Sequence, residues 1–175
     1  MRSDLDAVFV QESSHDIFKR LKQLDIWQTK QSVHVYLPIR QSKEVDTRQV
    51  VRWLLESGHE VWTSYLPEDE SKDGFCRISE NTRYTFGRYD IPIPVERVVK
   101  DCQPDVIIAA CVAADKTGNR LGHGNGWTDR FFAAHPKAYR IGLVYNQFLL
   151  DQIPSESHDQ KLNVLVTESQ IAYIR

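Results

Sequence analysis

The sequence predicts an α/β domain of three layers, in which a mostly parallel β-sheet lies between crossover helices. A strand, a helix and a second strand follow one another between Ser32 and Leu66, the spacing of a parallel crossover unit. The apolar run from Val106 to Ala114 has no polar helical face and is too short to cross a bilayer. It therefore indicates a strand buried on both sides. A chain of 175 residues can bury such a core as a single domain, residues 1–175.

The first half of the chain alternates helical and extended patterns. Ile17, Leu21 and Leu24 recur at helical spacing, with Ser13 or Ser14 as the N-cap. The predicted elements are a helix over Ser14–Trp27, a strand over Ser32–Leu37, a helix from Asp46 or Thr47 to Gly58, and strands over Glu60–Leu66 and Gly74–Ile78.

In the second half, the tyrosines and prolines between Asn81 and Glu96 predict a stiff aromatic segment that can form the wall of a pocket. Further predicted elements are a helix over Val95–Cys102, the strand over Val106–Ala114, a helix from Trp127, a strand over Tyr139–Tyr145 and a last strand over Asn163–Thr167. Ligands of open α/β sheets bind beyond the carboxyl ends of the strands. The segment after Ala114 follows such an end.

Charge and cysteine content exclude several classes of protein. The 22 basic and 24 acidic side chains nearly balance, so we expect no nucleic-acid or membrane partner. Cys76, Cys102 and Cys111 form no CxxC pair, which argues for a reducing compartment and against a disulfide framework or a structural zinc. The first residues carry no apolar segment of signal-peptide length. We therefore expect a cytoplasmic protein, and we expect it to be a monomer.

A glycine-rich loop follows the buried strand. It holds Gly118, Gly122, Gly124 and Gly126 together with Arg120, and a helix is predicted to begin directly after it. Glycine allows the loop to turn its backbone N–H groups toward one point, and the positive end of the helix dipole attracts anions. The pattern indicates a phosphate or nucleotide site, although four glycines can also build an irregular connection.

Asp129 lies one turn into the predicted helix, close to any phosphate bound at the loop. A carboxylate in that position needs a divalent cation to be favourable, which suggests Mg²⁺. The loop matches neither GxGxxG with a following acidic residue nor GxxxxGK[ST], so the residues alone do not identify the nucleotide.

The longer string DKTGNRLGHGNGWTDRF resembles the signature of the 5-formyltetrahydrofolate cyclo-ligase family. The matching positions are Asp115, Gly118, Arg120, Leu121, Gly122, Gly124, Gly126, Asp129 and Arg130. The stretches EVDT, YDIPIPVE and IPSESHDQKLNVLVTE agree in the family's order, so the resemblance runs from about Ser32 to Glu168.

The resemblance implies an ATP- and Mg²⁺-dependent conversion of 5-formyltetrahydrofolate to 5,10-methenyltetrahydrofolate on a cyclo-ligase-like fold. The formyl oxygen attacks the γ-phosphate, the second folate nitrogen closes the ring, and ADP and phosphate are released. Catalysis of this kind rests on positioning and charge neutralisation.

The resemblance also implies the site residues. Arg120 and Asp129 would be catalytic, and Asp129 and Asp159 would hold the metal. The ATP site would comprise Arg120, Leu121, Gly122, His123, Gly124, Asn125, Gly126 and Trp127, and the substrate site Glu44, Tyr89, Trp127 and Thr128.

Each role has a plainer alternative. Asp129 could pair with a nearby arginine, and Asp159 could be an acid in a turn. Tyr89 could be a core residue and Glu44 an ordinary residue ahead of a helix. An isolated histidine such as His123 is usually solvated.

The chain departs from the family pattern in three places. Arg2 is the one cation before Lys19, where the family has a pair of amino-terminal cations. Ala110, Cys111 and Ala114 replace the usual residues ahead of the loop, and Trp127-Thr128 replaces a Tyr-Tyr pair. These departures leave two alternatives open: a non-catalytic nucleotide- or folate-binding protein, and an ATP-using ligase or kinase acting on another small molecule.

Overall fold

The computed structural model describes residues 2–29, 31–65, 74–87, 90–96, 102–124, 126–156 and 159–174. Its main feature is a seven-stranded sheet. The strands of this sheet are β1 (Ser32–Val35), β2 (Glu60–Tyr65), β3 (Gly74–Ile78), β6 (Val106–Ala110), β9 (Tyr139–Leu143), β11 (Val164–Val166) and β12 (Ile171–Tyr173). They lie side by side in the order β12-β11-β9-β6-β1-β2-β3. The five inner strands are parallel, and the two edge strands, β3 and β12, are antiparallel to their neighbours.

Three α-helices lie within the described parts of the chain: α1 (Ala7–Leu21), α2 (Arg48–Glu56) and α3 (Trp127–Ala134). Helices α1 and α2 contribute to one apolar cluster and α3 to another. Strand β6 alternates between the two clusters, since Val106 and Ile108 belong to the first and Ile107 and Ala109 to the second. The sheet is therefore covered on both faces, which confirms the predicted three-layer α/β fold.

The predicted strand over Val106–Ala114 is two strands. Strand β6 ends at Ala110, and β7 (Ala113–Asp115) belongs to a separate three-stranded sheet with β8 (Arg120–Leu121) and β10 (Leu149–Leu150). The chain bends between them because the Cys111 N–H still pairs with Leu143 of the large sheet, whereas the Val112 N–H pairs with Leu121 of the small one. This bend turns the glycine-rich loop toward the carboxyl edge of the large sheet.

The prediction for the first helix was wrong at both ends. Helix α1 begins at Ala7 after Asp6, and Ser13 and Ser14 are buried in its interior. The Ser14 hydroxyl accepts a hydrogen bond from the Asp46 N–H at 2.9 Å, so it joins α1 to the segment before α2 and caps nothing.

Other predictions fit more closely. Helix α2 begins after Thr47, as expected, and ends before Gly58, whose φ is +77°. The aromatic segment forms an antiparallel hairpin of β4 (Tyr84–Phe86) and β5 (Pro92–Pro94). Most of the predicted helix over Val95–Cys102 lies outside the described residues. Strand β11 is not the last strand, because β12 follows it.

No helix in the described parts of the chain is long and apolar enough to span a membrane.

Candidate active site

The glycine-rich loop is anchored by the β7–β8 hairpin, and Asp115 fixes the turn of that hairpin. The buried Asp115 carboxylate accepts hydrogen bonds from the Thr117 N–H and hydroxyl, from the backbone and side chain of Asn119, and from the Ile153 N–H. Burial opposes ionisation of Asp115, but the hydrogen bonds from Asn119, Thr117 and Ile153 outweigh it and lower its pKa to about 2. Asp115 therefore holds the hairpin that presents Arg120.

The predicted ATP-binding residues form one continuous stretch at the carboxyl edge of the sheet. Arg120 and Leu121 form β8, the exposed Gly122, His123 and Gly124 follow, and Trp127 begins α3. Gly126 precedes α3 with a φ of +64°, and Gly124 has a φ of +86° and open space where a Cβ would lie. Asn125 lies outside the described residues. The loop thus has room for a ligand beside its backbone.

Arg120 and Asp129, the two predicted catalytic residues, contact each other. The Arg120 Nη2 lies 2.8 Å from the Asp129 Oδ2, and the Arg120 side chain is 4% exposed. The contact is an ion pair with poor hydrogen-bond alignment, because Nε and Nη2 of Arg120 have no aligned acceptor among the described residues. Buried donors without acceptors are costly, so this guanidinium suits an anionic ligand.

The two predicted metal ligands lie on adjoining segments. The other oxygen of Asp129 accepts a hydrogen bond from the Gln160 N–H at 3.2 Å, which holds the segment after Asp159 against α3. The Asp159 carboxylate accepts the Glu156 N–H at 2.7 Å, as an acid in a turn does. The described residues contain no cluster of three or more potential metal ligands. Both carboxylates have the oxygen chemistry that Mg²⁺ prefers, and their role as ligands stays a prediction.

Glu44 meets the glycine-rich loop across the site. Its side chain is 4% exposed, its Oε2 accepts the Ile39 N–H at 2.8 Å, and its Oε1 lies 3.0 Å from the His123 Nε2. Because a carboxylate only accepts, this contact places the proton of His123 on Nε2. The His123 side chain is 51% exposed, as expected of a histidine in a polar loop, and its Nε2 also bonds to a buried acid.

A cavity of about 190 Å³ opens beside this contact. Glu44, Gly122, His123, Trp127 and Thr128 all line it. The predicted substrate-binding residues are thus brought together with part of the predicted ATP loop, except Tyr89, which lies outside the described residues. A volume below the roughly 300–1,000 Å³ of typical ligand pockets suits one flat ring system rather than a whole drug-sized ligand.

Aromatic rings form the floor of this cavity. Trp127 stacks on Phe131 with ring centroids 4.9 Å apart, and His34 of β1 packs on Phe131 at 4.6 Å. The ring nitrogens of His34 have no hydrogen-bond partner among the described residues, and burial lowers its pKa to about 3. The sequence does not predict the burial of His34, because its alternation with apolar residues in β1 is typical of an outward position. His34 is buried because Trp127 and Phe131 of α3 cover that face of the strand.

A second cavity, of about 750 Å³, lies on the other side of Leu37 and does not include the loop. Helix α2 and the β4–β5 hairpin form its walls, with Arg48, Arg52, Tyr84 and Phe86 among the lining residues. Although this cavity is the larger of the two, the described residues that were predicted to bind the substrate line the smaller one.

Comparisons with known proteins agree with this geometry. A family model described as the 5-formyltetrahydrofolate cyclo-ligase family matches residues 2–168, so the similarity extends further toward the amino terminus than the motifs indicated. The chain is 30% identical to the 5-formyltetrahydrofolate cyclo-ligase of Escherichia coli K12 over 73% of this chain and 74% of that protein. It is 25% identical to a probable 5-formyltetrahydrofolate cyclo-ligase of Caenorhabditis elegans, over 91% and 84%.

Two solved structures share the fold. The 5,10-methenyltetrahydrofolate synthetase of Aquifex aeolicus superposes with a TM-score of 0.84 at 26% identity, over 99% of this chain and 87% of that one. A Mycoplasma pneumoniae synthetase superposes with a TM-score of 0.74 over 95% and 92%, and its 17% identity supports the fold alone. On the family match and these relatives, the chain belongs to the 5-formyltetrahydrofolate cyclo-ligase family.

Proposed function

We propose that this protein is an ATP- and Mg²⁺-dependent ligase that converts 5-formyltetrahydrofolate to 5,10-methenyltetrahydrofolate. The observation that best supports this proposal is the 3.0 Å contact between Glu44 and His123. It joins the acid assigned to the folate ring with the loop assigned to the ATP phosphates. The formyl oxygen and the γ-phosphate must meet where those two regions adjoin.

Each site residue has its own role in the proposed reaction. Trp127 offers a flat apolar face to the pterin ring, and Glu44 accepts hydrogen bonds from its N–H groups. The loop N–H groups and Arg120 neutralise phosphate charge and hold the γ-phosphorus in line with the formyl oxygen. Asp129 and Asp159 would hold Mg²⁺, which supplies charge neutralisation when bound. The formyl oxygen displaces ADP, and the second folate nitrogen then closes the ring as phosphate leaves.

The test is an end-point assay of methenyl-folate absorbance with purified protein, 5-formyltetrahydrofolate, ATP and MgCl₂. We expect absorbance to rise only when all components are present, and Asp129→Asn to abolish the rise. Asp151→Asn is the matched control, because Asp151 is fully exposed and its one ion pair within the described parts of the chain is with Lys116 at 3.5 Å. A folded wild-type protein that forms no product would refute the proposed activity.

One observation favours binding without turnover as the second candidate. Arg2, the one cation before Lys19, contacts the Glu44 carboxylate and the Cys111 carbonyl, so its charge faces a carboxylate of the protein itself. In that case ATP and 5-formyltetrahydrofolate would raise the melting temperature without forming product.

A further inference from the structure

We infer that Arg2 is a positioning residue for Glu44, holding the carboxylate in the geometry that receives the folate ring. This inference rests on the proposed function. Arg2 belongs to a short 3-10 turn, Arg2–Asp4, ahead of α1. Its guanidinium reaches into the site at the carboxyl edge of the sheet.

Arg2 contacts three separate segments of the site. Its Nη1 donates to the Cys111 carbonyl at 3.4 Å, where β6 gives way to β7. Its Nη2 lies 3.8 Å from the Glu44 Oε1 and 3.5 Å from the His123 Nε2. The Arg2 side chain is 9% exposed, so these contacts are shielded from solvent. Arg2 thus links the start of the chain to the bend and to the Glu44 loop, and it meets the glycine-rich loop at the carboxylate that both approach.

The charges explain why this link matters. Glu44 is buried, and a buried carboxylate is stable as an anion only with a nearby cation and hydrogen-bond donors. The Ile39 N–H and the His123 Nε2–H supply two donors, but neither is a permanent charge. Arginine stays protonated throughout the physiological range, so Arg2 is the permanent counter-charge of Glu44.

The position of Arg2 leaves Glu44 available to a ligand. Arg2 and His123 approach the same oxygen, Oε1, and the Ile39 N–H approaches the other. Each carboxylate oxygen can accept more than one hydrogen bond, and Glu44 lines the small cavity. Without Arg2, the buried carboxylate would lose its counter-charge and rotate away, and a ring N–H group would lose its acceptor.

The experiment measures equilibrium binding of 5-formyltetrahydrofolate by tryptophan fluorescence, together with the KM values for folate and ATP. We expect Arg2→Met to weaken folate binding and raise its KM at least tenfold, with the KM for ATP changing less than twofold. Arg2→Lys restores at least half of the lost affinity, since it restores the charge. Lys19→Met is the matched control, because Lys19 is an exposed cation of the same region that pairs with Asp16.

A thermal double-mutant cycle tests the Arg2–Glu44 link without ligand. Each single variant, Arg2→Met or Glu44→Gln, leaves one buried group without its partner. The melting temperature of the double variant should therefore fall by less than the sum of the two single decreases. Additive losses would overturn the inference, as would unchanged folate binding in Arg2→Met. If wild-type protein forms no product yet binds folate and shows both effects, the proposed reaction fails while the role of Arg2 stands.

Discussion

Arg120 and Asp129 form a 2.8 Å ion pair that closes the glycine-rich loop onto the first turn of α3. The arginine also lies over the Phe132 ring, with its guanidinium carbon 5.2 Å from the ring centroid. Its burial makes the pair different from the surface ion pairs of this protein, because a buried charge cannot turn to solvent when its partner is removed.

We therefore expect Asp129→Asn to lower the free energy of unfolding by about 1–3 kcal/mol, besides removing turnover. Urea denaturation of the unliganded protein measures this loss. Arg120→Met with Asp129→Asn should cost less than the two single changes added together. Equal stability of wild type and Asp129→Asn would show that the ion pair contributes nothing to the fold.

Alanine substitutions at two glycines of the loop region can distinguish a role in the fold from a role in ligand binding. Both have positive φ, +88° at Gly118 and +86° at Gly124, where an alanine costs roughly 1–2 kcal/mol. At Gly118 an added Cβ would also lie 3.0 Å from the Leu162 carbonyl oxygen and from Ile174, whereas at Gly124 it would meet nothing within 4 Å.

Gly124→Ala should thus lower the melting temperature by about 2–8 °C, and Gly118→Ala should lower it further. Gly124→Ala should still weaken ATP binding, because the added methyl occupies the space beside the loop. Differential scanning fluorimetry with and without ATP measures both effects. Retention of full ATP stabilisation in Gly124→Ala would argue against phosphate binding at this part of the loop.

Much of the fold could be predicted because local sequence patterns specify its strands and helices. The alternation along β1, the continuous apolar run of β6 and the apolar stripe of α2 each follow from neighbouring residues. The bend at Cys111 and the internal position of Ser14 could not be predicted, since each depends on a distant partner, Leu143 in one case and Asp46 in the other.

The candidate site also combines a feature that follows from neighbouring residues with contacts that depend on distant ones. Its loop was found from glycine spacing and family resemblance, because those residues are consecutive. The contacts of Glu44 with His123 and Arg2 join segments that the fold alone brings together. No pattern within either segment indicates such a contact, so the sequence predicts the exposure of His123 but not its bond to Glu44.

Asp115 should be more important for stability than for binding. Asp115→Asn keeps one acceptor oxygen but replaces the other by an amide that cannot accept, so the hydrogen bonds to Asn119 and Thr117 cannot all persist. We expect a loss of about 1–3 kcal/mol in the free energy of unfolding, measured in urea at neutral pH. Asp105→Asn is a useful comparison, because the Asp105 side chain accepts one hydrogen bond from the residues that the structure describes, from the Ser32 N–H to Oδ2. A loss at Asp115 no greater than that at Asp105 would contradict this role.

The lowered pKa of His34 predicts how the free energy of unfolding depends on pH. Burial lowers its pKa to about 3 from an ordinary 6.5, so between these values the unfolded chain binds a proton that the folded protein does not. Stability from His34 is present above pH 6.5 and is lost as the pH falls toward 3, by about 1.4 kcal/mol per pH unit. His135, whose pKa burial also lowers, acts in the same direction.

Replacing His34 isolates its share of this pH dependence. His34→Leu removes two ring nitrogens that have no partner in the described structure, so stability at pH 7 should be equal to wild type or higher. Between pH 6.5 and 4 the variant should lose stability less steeply than wild type, because it keeps the lowered pKa of His135 but not that of His34. Urea denaturation of both proteins at half-unit pH steps gives the two slopes. Parallel slopes would mean that His34 takes up its proton in the folded state, through a partner or a water molecule in the cavity.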